Sequence, residues 1–288
     1  MIYLLLSILF TTAVFLTLKE FQRYQLDNLQ AIVVSYFMAL GIGCLHSNSP
    51  FSVPFLLSQS WVWGALTIST LFIITFNLMA VTAQKGGLSV MTVANKMSVV
   101  IPIFIGIFLC QEDAGVLKIL GIVLALLGVW FTSKKKGTYQ FDKRLWYLPF
   151  LIFIGSGLAD AIINHMQAYY VAHNALGLFS TSLFFFCGCI GVVVLMIKKS
   201  IGNLKLSFKN LIGGLILGIP NYFSIYFLLK ALSHPDYETS LIFSVNNLLV
   251  VLISVLLGLF LYQEKLSKQN YIGLGMSGLA IIVLYFAI

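Results

Sequence analysis

The sequence predicts an all-α integral membrane protein: ten transmembrane helices, arranged as two inverted five-helix repeats. Three observations carry that expectation. Hydrophobic residues make up 60% of the chain and charged residues only 9%, whereas a soluble globular chain carries about 25% charge. Ten apolar runs follow one another at 2–18, 29–45, 59–83, 88–110, 114–132, 146–167, 175–197, 210–232, 239–261 and 270–287, each near the length that crosses a hydrocarbon core. The chain also matches itself. A gapless shift of 152 residues brings Val93, Asn95, Gly106, Phe108, Gln111, Glu112 and Gly121 onto Val245, Asn247, Gly258, Phe260, Gln263, Glu264 and Gly273.

Each run ends in charges, Pro, Gly or Asn, and the loops between them are short. No alternating strand pattern of the kind a membrane barrel needs is present. The first run, Ile2 to Leu18, lacks a basic leader and a small-residue cleavage site, so it reads as a retained helix rather than a signal peptide. The repeat divides the chain into a first unit at 1–132, a basic linker at 133–145 and a second unit at 146–288. Five helices per unit force the second copy to enter from the opposite side, which inverts the repeat about an axis in the membrane plane. The front of each half matches more weakly: a shift of 145 aligns Gln22, Tyr24 and Gly43 with Gln167, Tyr169 and Gly188.

Lys and Arg set the expected orientation. Fourteen of the 17 basic residues fall in odd-numbered loops, and only Lys118 and Lys230 fall toward the even-numbered side. The positive-inside rule then places the odd loops in the cytoplasm and both termini outside, in a cell (inner) membrane. The net charge of +8 is spent on that face and does not point to nucleic acid. Cys187-x-Cys189 has neither zinc nor thioredoxin-like spacing, so the four cysteines read as free thiols.

Lys96 is the one lysine well inside an apolar run, about 12 Å from the nearer edge at 1.5 Å per residue. A lysine at such a depth costs on the order of 3 kcal/mol unless it faces protein or water. It either snorkels or faces a cavity, where it suits an anionic substrate group or an acidic partner. Asn95 is adjacent, and Pro102 downstream suits a kink that lines a cavity. Asp160 is the only acid deep in a run, about 21 Å from the edge. Ser156, Asp160 and Asn164 recur every four residues and share one helix face. Asp160 is the proton-coupling candidate; its alternative is a structural pair with Lys96 or an interhelical hydrogen bond. Asn246 and Asn247 in the ninth run bind a polar solute or lock helices together. Pro220, Asn221, Tyr222, Ser224 and Tyr226 form a polar-aromatic patch on the eighth, and Thr70 and Asn77 mark a polar face on the third.

Other residues read as structural. Lys230 snorkels at its helix end, and His46, His173 and His234 lie in loops. Glu112 and Glu264 begin the turns before the fifth and tenth runs and complement the dipole of the helix that follows, with gating as the alternative. Gly121, Ala125 and Gly128, matched by Gly273, Ser277 and Ala280, form small-residue seams that draw those two helices together. Gly273-Leu-Gly-Met-Ser-Gly278 satisfies a dinucleotide fingerprint but follows no strand. No metal-ligand spacing and no cofactor motif appear.

Two five-helix halves, with Pro102, Gly106, Glu112, Gly121 and Gly128 in the first and Gly258, Glu264 and Gly273 in the second, resemble the EamA type of the drug/metabolite transporter superfamily. The resemblance covers nearly the whole chain and is strongest in 75–131 and 222–285. Ser254 stands where the family pattern often has proline. The resemblance implies an inner-membrane carrier with a central cavity and alternating access, moving small metabolites. Members of the family are usually drawn with both termini in the cytoplasm, opposite to the lysine bias. The expected function is a secondary transporter, not an enzyme, acting as a monomer or homodimer among membrane lipids. Its substrate contacts are Asn95, Lys96, Asp160, Asn164, Asn221, Tyr222 and Asn247. The alternative is a carrier of a lipid-linked head group.

Overall fold

A computed structural model describes residues 2–46, 52–109, 115–133, 145–172, 175–200, 207–232, 239–264 and 266–287. Glu112, Cys110, His173, His234 and nearly all of the 133–145 linker lie outside them. The described residues form α-helices and contain no strand. The helices are α1 (Ile2–Glu20), α2 (Asn28–His46), α3 (Val53–Leu57), α4 (Val62–Gly86), α5 (Leu88–Lys96), α6 (Val100–Leu109), α7 (Val116–Ser133), α8 (Tyr147–Tyr169), α9 (Leu176–Ser200), α10 (Phe208–Leu232), α11 (Thr239–Phe260) and α12 (Lys268–Ala287). Eight helical stretches are long and apolar enough to cross a bilayer, and two shorter apolar ones occupy 116–132 and 245–260. The chain is a multi-pass membrane protein.

Three features depart from the expectation. The loop before α4 contains the short helix α3, whose Leu56 is buried beside Trp61. The fourth run is not one helix: α5 stops at Lys96 and a 3-10 turn occupies Met97–Val99 before α6 begins. Pro102 explains the break, because it has no N–H to offer the carbonyl of Ser98 and its ring crowds that turn. A third departure is His46, which is the last residue of α2 rather than a loop residue. Its ring lies 4.5 Å from that of Tyr226.

Apolar surface gives little driving force between helices in lipid, so close approach and interhelical hydrogen bonds hold the bundle. The tightest approach pairs α7 with α12. A methyl on Gly273 would lie 2.5 Å from the Thr132 backbone nitrogen, and one on Gly128 would meet Ser277. Ala125, Ser277 and Ala280 are fully buried in this seam. Asn270 then caps the end of α7, donating to the Thr132 carbonyl at 2.7 Å. A second seam joins α10 to α2. Gly214 and Gly218 are four apart, and methyls there would lie 2.5 Å from the Ala31 and 2.7 Å from the Ser35 carbonyl oxygens. The Ser69 hydroxyl bridges α4 to the Leu183 carbonyl of α9 at 3.0 Å.

The helix pairs in contact form a pattern. α1 packs on α10 and α4 on α8; α2 packs on α10 and α4 on α9; α1 packs on α11 and α5 on α8. The pairs α2–α9, α5–α11 and α7–α12 are in contact as well. The described basic ends gather at one end of the bundle. Lys19 reaches the Ala83 carbonyl at 2.6 Å and Lys198 reaches Asp27 at 2.6 Å. Asp27 also caps α2 by accepting from the Gln30 N–H at 3.0 Å.

Candidate functional site

The site begins with two glycines on α8. Methyls at Gly155 and Gly157 would lie 2.6 Å from the Thr75 hydroxyl and 2.7 Å from the Ser98 carbonyl oxygen. Their absence lets α8 lie against α4 and against the 3-10 turn. That approach places Ser156 and Asp160 opposite the break in the fourth run. The Asn95 amide donates to the Ser156 hydroxyl at 2.8 Å, and the Ser98 hydroxyl donates to Asp160 Oδ2 at 3.4 Å.

Between these helices lies a cavity of about 130 Å³, and its wall includes Asn95, Lys96, Ser156, Asp160 and Asn221. The other lining residues come from α1, α4 and α10, so both halves of the sequence contribute. A neighbouring cavity of about 90 Å³ shares Phe72, Asp160, Ile225 and Leu228 and adds Asn164 with mainly apolar residues. Lys96 and Asp160 are only half-buried although both sit deep in the helix bundle, because they open onto this space. They attract each other through space but make no direct ion pair. Lys96 has no hydrogen-bond partner among the described residues. Asn221 and Thr75 are 1% and 3% exposed, and the Asn221 amide nitrogen and Thr75 hydroxyl have no partner among the described residues.

Four of the seven expected contacts therefore share one cavity: Asn95, Lys96, Asp160 and Asn221. Asn164 lies in the adjoining one. Tyr222 and Asn247 line neither. Tyr222 is buried in an aromatic cluster with His46, Phe184 and Tyr226, and Asn247 is buried in α11. The third-helix polar face also divides differently from the expectation. Thr70 is exposed and Asn77 is tied to its own helix through the Ile73 carbonyl at 2.8 Å. The cavity instead takes Thr75 with Phe72 and Phe76, which the sequence reading did not select. Their spacing of three and four along one helix was the available signal.

Glu264 does not serve the helix that follows it. Its carboxylate accepts from the Leu88 N–H at 2.5 Å, the Ser89 hydroxyl at 2.9 Å and the Ser89 N–H at 3.3 Å. It thus caps α5, a helix of the other half. Lys19 stands 3.6 Å from the same carboxylate. Gly87, at φ +100°, completes the clasp, since a methyl there would lie 2.9 Å from Glu264 Oε1. Burial pushes the nearby Tyr262 phenol up, so it remains neutral beside this pair. The helix after Glu264 is capped by its own residues: Ser267 and Asn270 exchange hydrogen bonds, with Ser267 N–H to Asn270 at 2.9 Å.

Among the described residues no group of three His, Cys, Asp or Glu side chains is placed to hold a metal. Cys44, Cys187 and Cys189 are free thiols.

Comparison with known protein families finds no matching family model. An uncharacterized protein of Haemophilus influenzae is 24% identical over 98% of this chain and 97% of its own length. The glucose uptake protein GlcU of Staphylococcus xylosus is 30% identical over 63% of this chain and 60% of its own length. A probable GlcU of Staphylococcus epidermidis is 29% identical over 63% of this chain and 61% of its length. The chain thus matches about three-fifths of each GlcU protein. A solved crystal structure shares the fold, with a TM-score of 0.58 over 98% of this chain and 97% of that chain, at 13% identity.

Proposed function

We propose that this protein is a secondary-active transporter of small metabolites, and that the cavity between the two sequence halves is its substrate site. The observation that carries the reading is the pair of half-buried, unpaired charges, Lys96 and Asp160, facing one space inside a multi-pass bundle. Charged groups at such depth are rare and mark substrate or proton pathways. The similarity to proteins named for glucose uptake supports a carrier rather than an enzyme.

Ten spans in two inverted five-helix repeats form the frame of this proposal, as in the EamA type of the drug/metabolite transporter superfamily. The contact pattern supports it. Exchanging the first five spans with the second five turns α1–α10 into α8–α4, α2–α10 into α9–α4 and α1–α11 into α8–α5, all of which occur. The pairs α2–α9, α5–α11 and α7–α12 map onto themselves, while α1–α4 and α1–α5 have no counterpart among the larger contacts. Alternating access then consists of rocking one set against the other around the cavity. The basic end faces the cytoplasm, with both termini outside, and the Glu264 clasp holds that end shut. Asp160 is the proton-coupling group, because it is the deep carboxylate that opens onto the cavity.

Flux in proteoliposomes tests this reading. Wild-type protein is expected to exchange a small metabolite across the bilayer, and Asp160→Asn is expected to remove any response to an imposed pH gradient. Flux through Lys96→Ala and Asp160→Asn equal to that of wild type would contradict the site.

A further inference from the structure

We propose, resting on the transporter reading, that the cavity recognises a small zwitterion: an amino acid with an apolar side chain, its carboxylate on Lys96 and its ammonium group on Asp160. Both charges line one cavity, yet each lacks a close partner of its own. Lys96 has no hydrogen-bond partner among the described residues, and Asp160 receives only the long contact of 3.4 Å from Ser98. Two opposite charges that were purely structural would close on each other, as Lys198 and Asp27 do at 2.6 Å. Here the space between their helices is left open.

The ligand class follows from charge balance. A neutral solute leaves the two groups only each other's field across the open space. A monoanion answers Lys96 but is repelled by Asp160, and a monocation does the reverse. A zwitterion answers both without adding net charge to a low-dielectric site. The remaining groups fit the same occupant. The Asn221 amide is a free, buried donor on the cavity wall, suited to a second carboxylate oxygen. The Thr75 hydroxyl is free on the same wall. Past Asp160 the adjoining space of about 90 Å³ is walled by Phe72, Ile163, Phe179 and Leu183. Apart from Asp160 and Asn164 its lining is apolar, which gives an apolar side chain a place. The pair of opposite charges, which an uncharged hexose cannot answer, separates the proposal from the substrate that the GlcU names suggest.

The test is equilibrium binding to the purified full-length protein in detergent, read by calorimetry and thermal shift. The probes are leucine and the other apolar amino acids, leucine methyl ester, 4-methylpentanoate and glucose. At least one apolar amino acid is expected to bind. Its ester and its deaminated acid should each bind about tenfold or more weakly, as expected for loss of a charge-assisted hydrogen bond. In Lys96→Met the preference for the free acid over the ester should vanish. In Asp160→Asn the preference for the amine-bearing ligand should vanish. Such matched losses distinguish recognition from a folding defect, and an unchanged ligand-free melting temperature guards the comparison. Glucose binding that both variants abolish would overturn the zwitterion and keep the transporter site. Amino acid binding unaffected by either variant would overturn this placement. No binding by any apolar amino acid would overturn the proposal, while flux of another solute would leave the transporter reading standing.

Discussion

Two of the lysine–carboxylate pairs that join the halves of the molecule, Lys19–Glu264 and Lys96–Asp160, are built in opposite ways. At the basic end, Glu264 accepts three hydrogen bonds from α5 and stands 3.6 Å from Lys19, which is itself held by the Ala83 carbonyl at 2.6 Å. In the central cavity, among the described residues, Lys96 has no hydrogen-bond partner and Asp160 accepts a single long bond. The first pair has its valences filled by the protein and serves to hold three chain segments together. The second leaves its valences open toward a cavity. A buried charge is stabilising only when its partners are complete, so the incomplete pair comes at a cost to the fold, for which the proposed ligand site gives a reason.

Variants sharpen this comparison. The largest effect is expected at the cavity: Lys96→Met or Asp160→Asn should lower substrate exchange in proteoliposomes by about 100-fold or more, in line with loss of a charged contact in a dry site. Neither should lower the melting temperature in detergent, because each removes an under-partnered charge. The clasp should behave in the reverse way. Glu264→Gln leaves Lys19 without its counter-charge and weakens the cap on α5, a loss of about 1–3 kcal/mol seen as a lower melting temperature. Ligand affinity at the cavity should change little. Gly87→Ala, at φ +100° and against Glu264, should destabilise by about 1–2 kcal/mol in the same assay. The smallest contrast lies within one helix: Thr75→Val should alter ligand affinity by a few-fold, whereas Thr70→Val, on the exposed face, should alter nothing measurable.

Much of this was legible in the sequence because bilayer thickness and helix rise fix run lengths. The apolar runs coincide with helices to within a few residues, and Asn95, Lys96 and Asp160 stood out as polar groups in apolar surroundings. The side-by-side placement of Gly128 and Gly273 also followed from small-residue spacing. What was not legible was rotation and long-range partnership. Thr70 and Thr75 are both threonines on one helix, and only the packing of α8 against α4 decides which faces inward. Glu264 was assigned to the dipole of its own following helix, since local sequence offers that partner; the real one is α5, some 175 residues away. Tyr222 was grouped with its neighbour Asn221, but adjacent helical positions point about 100° apart. The Gly214–Gly218 spacing of four is visible in the sequence, but only the structure names α2 as its partner.

The most direct test of the central contrast is counterflow of a radiolabelled apolar amino acid into proteoliposomes containing wild type, Lys96→Met or Glu264→Gln. Wild type should exchange, and Lys96→Met should not, despite unchanged stability. Glu264→Gln should still recognise the ligand despite reduced stability. Wild-type exchange by Lys96→Met would contradict the account, because the open charge would then have no part in holding the substrate.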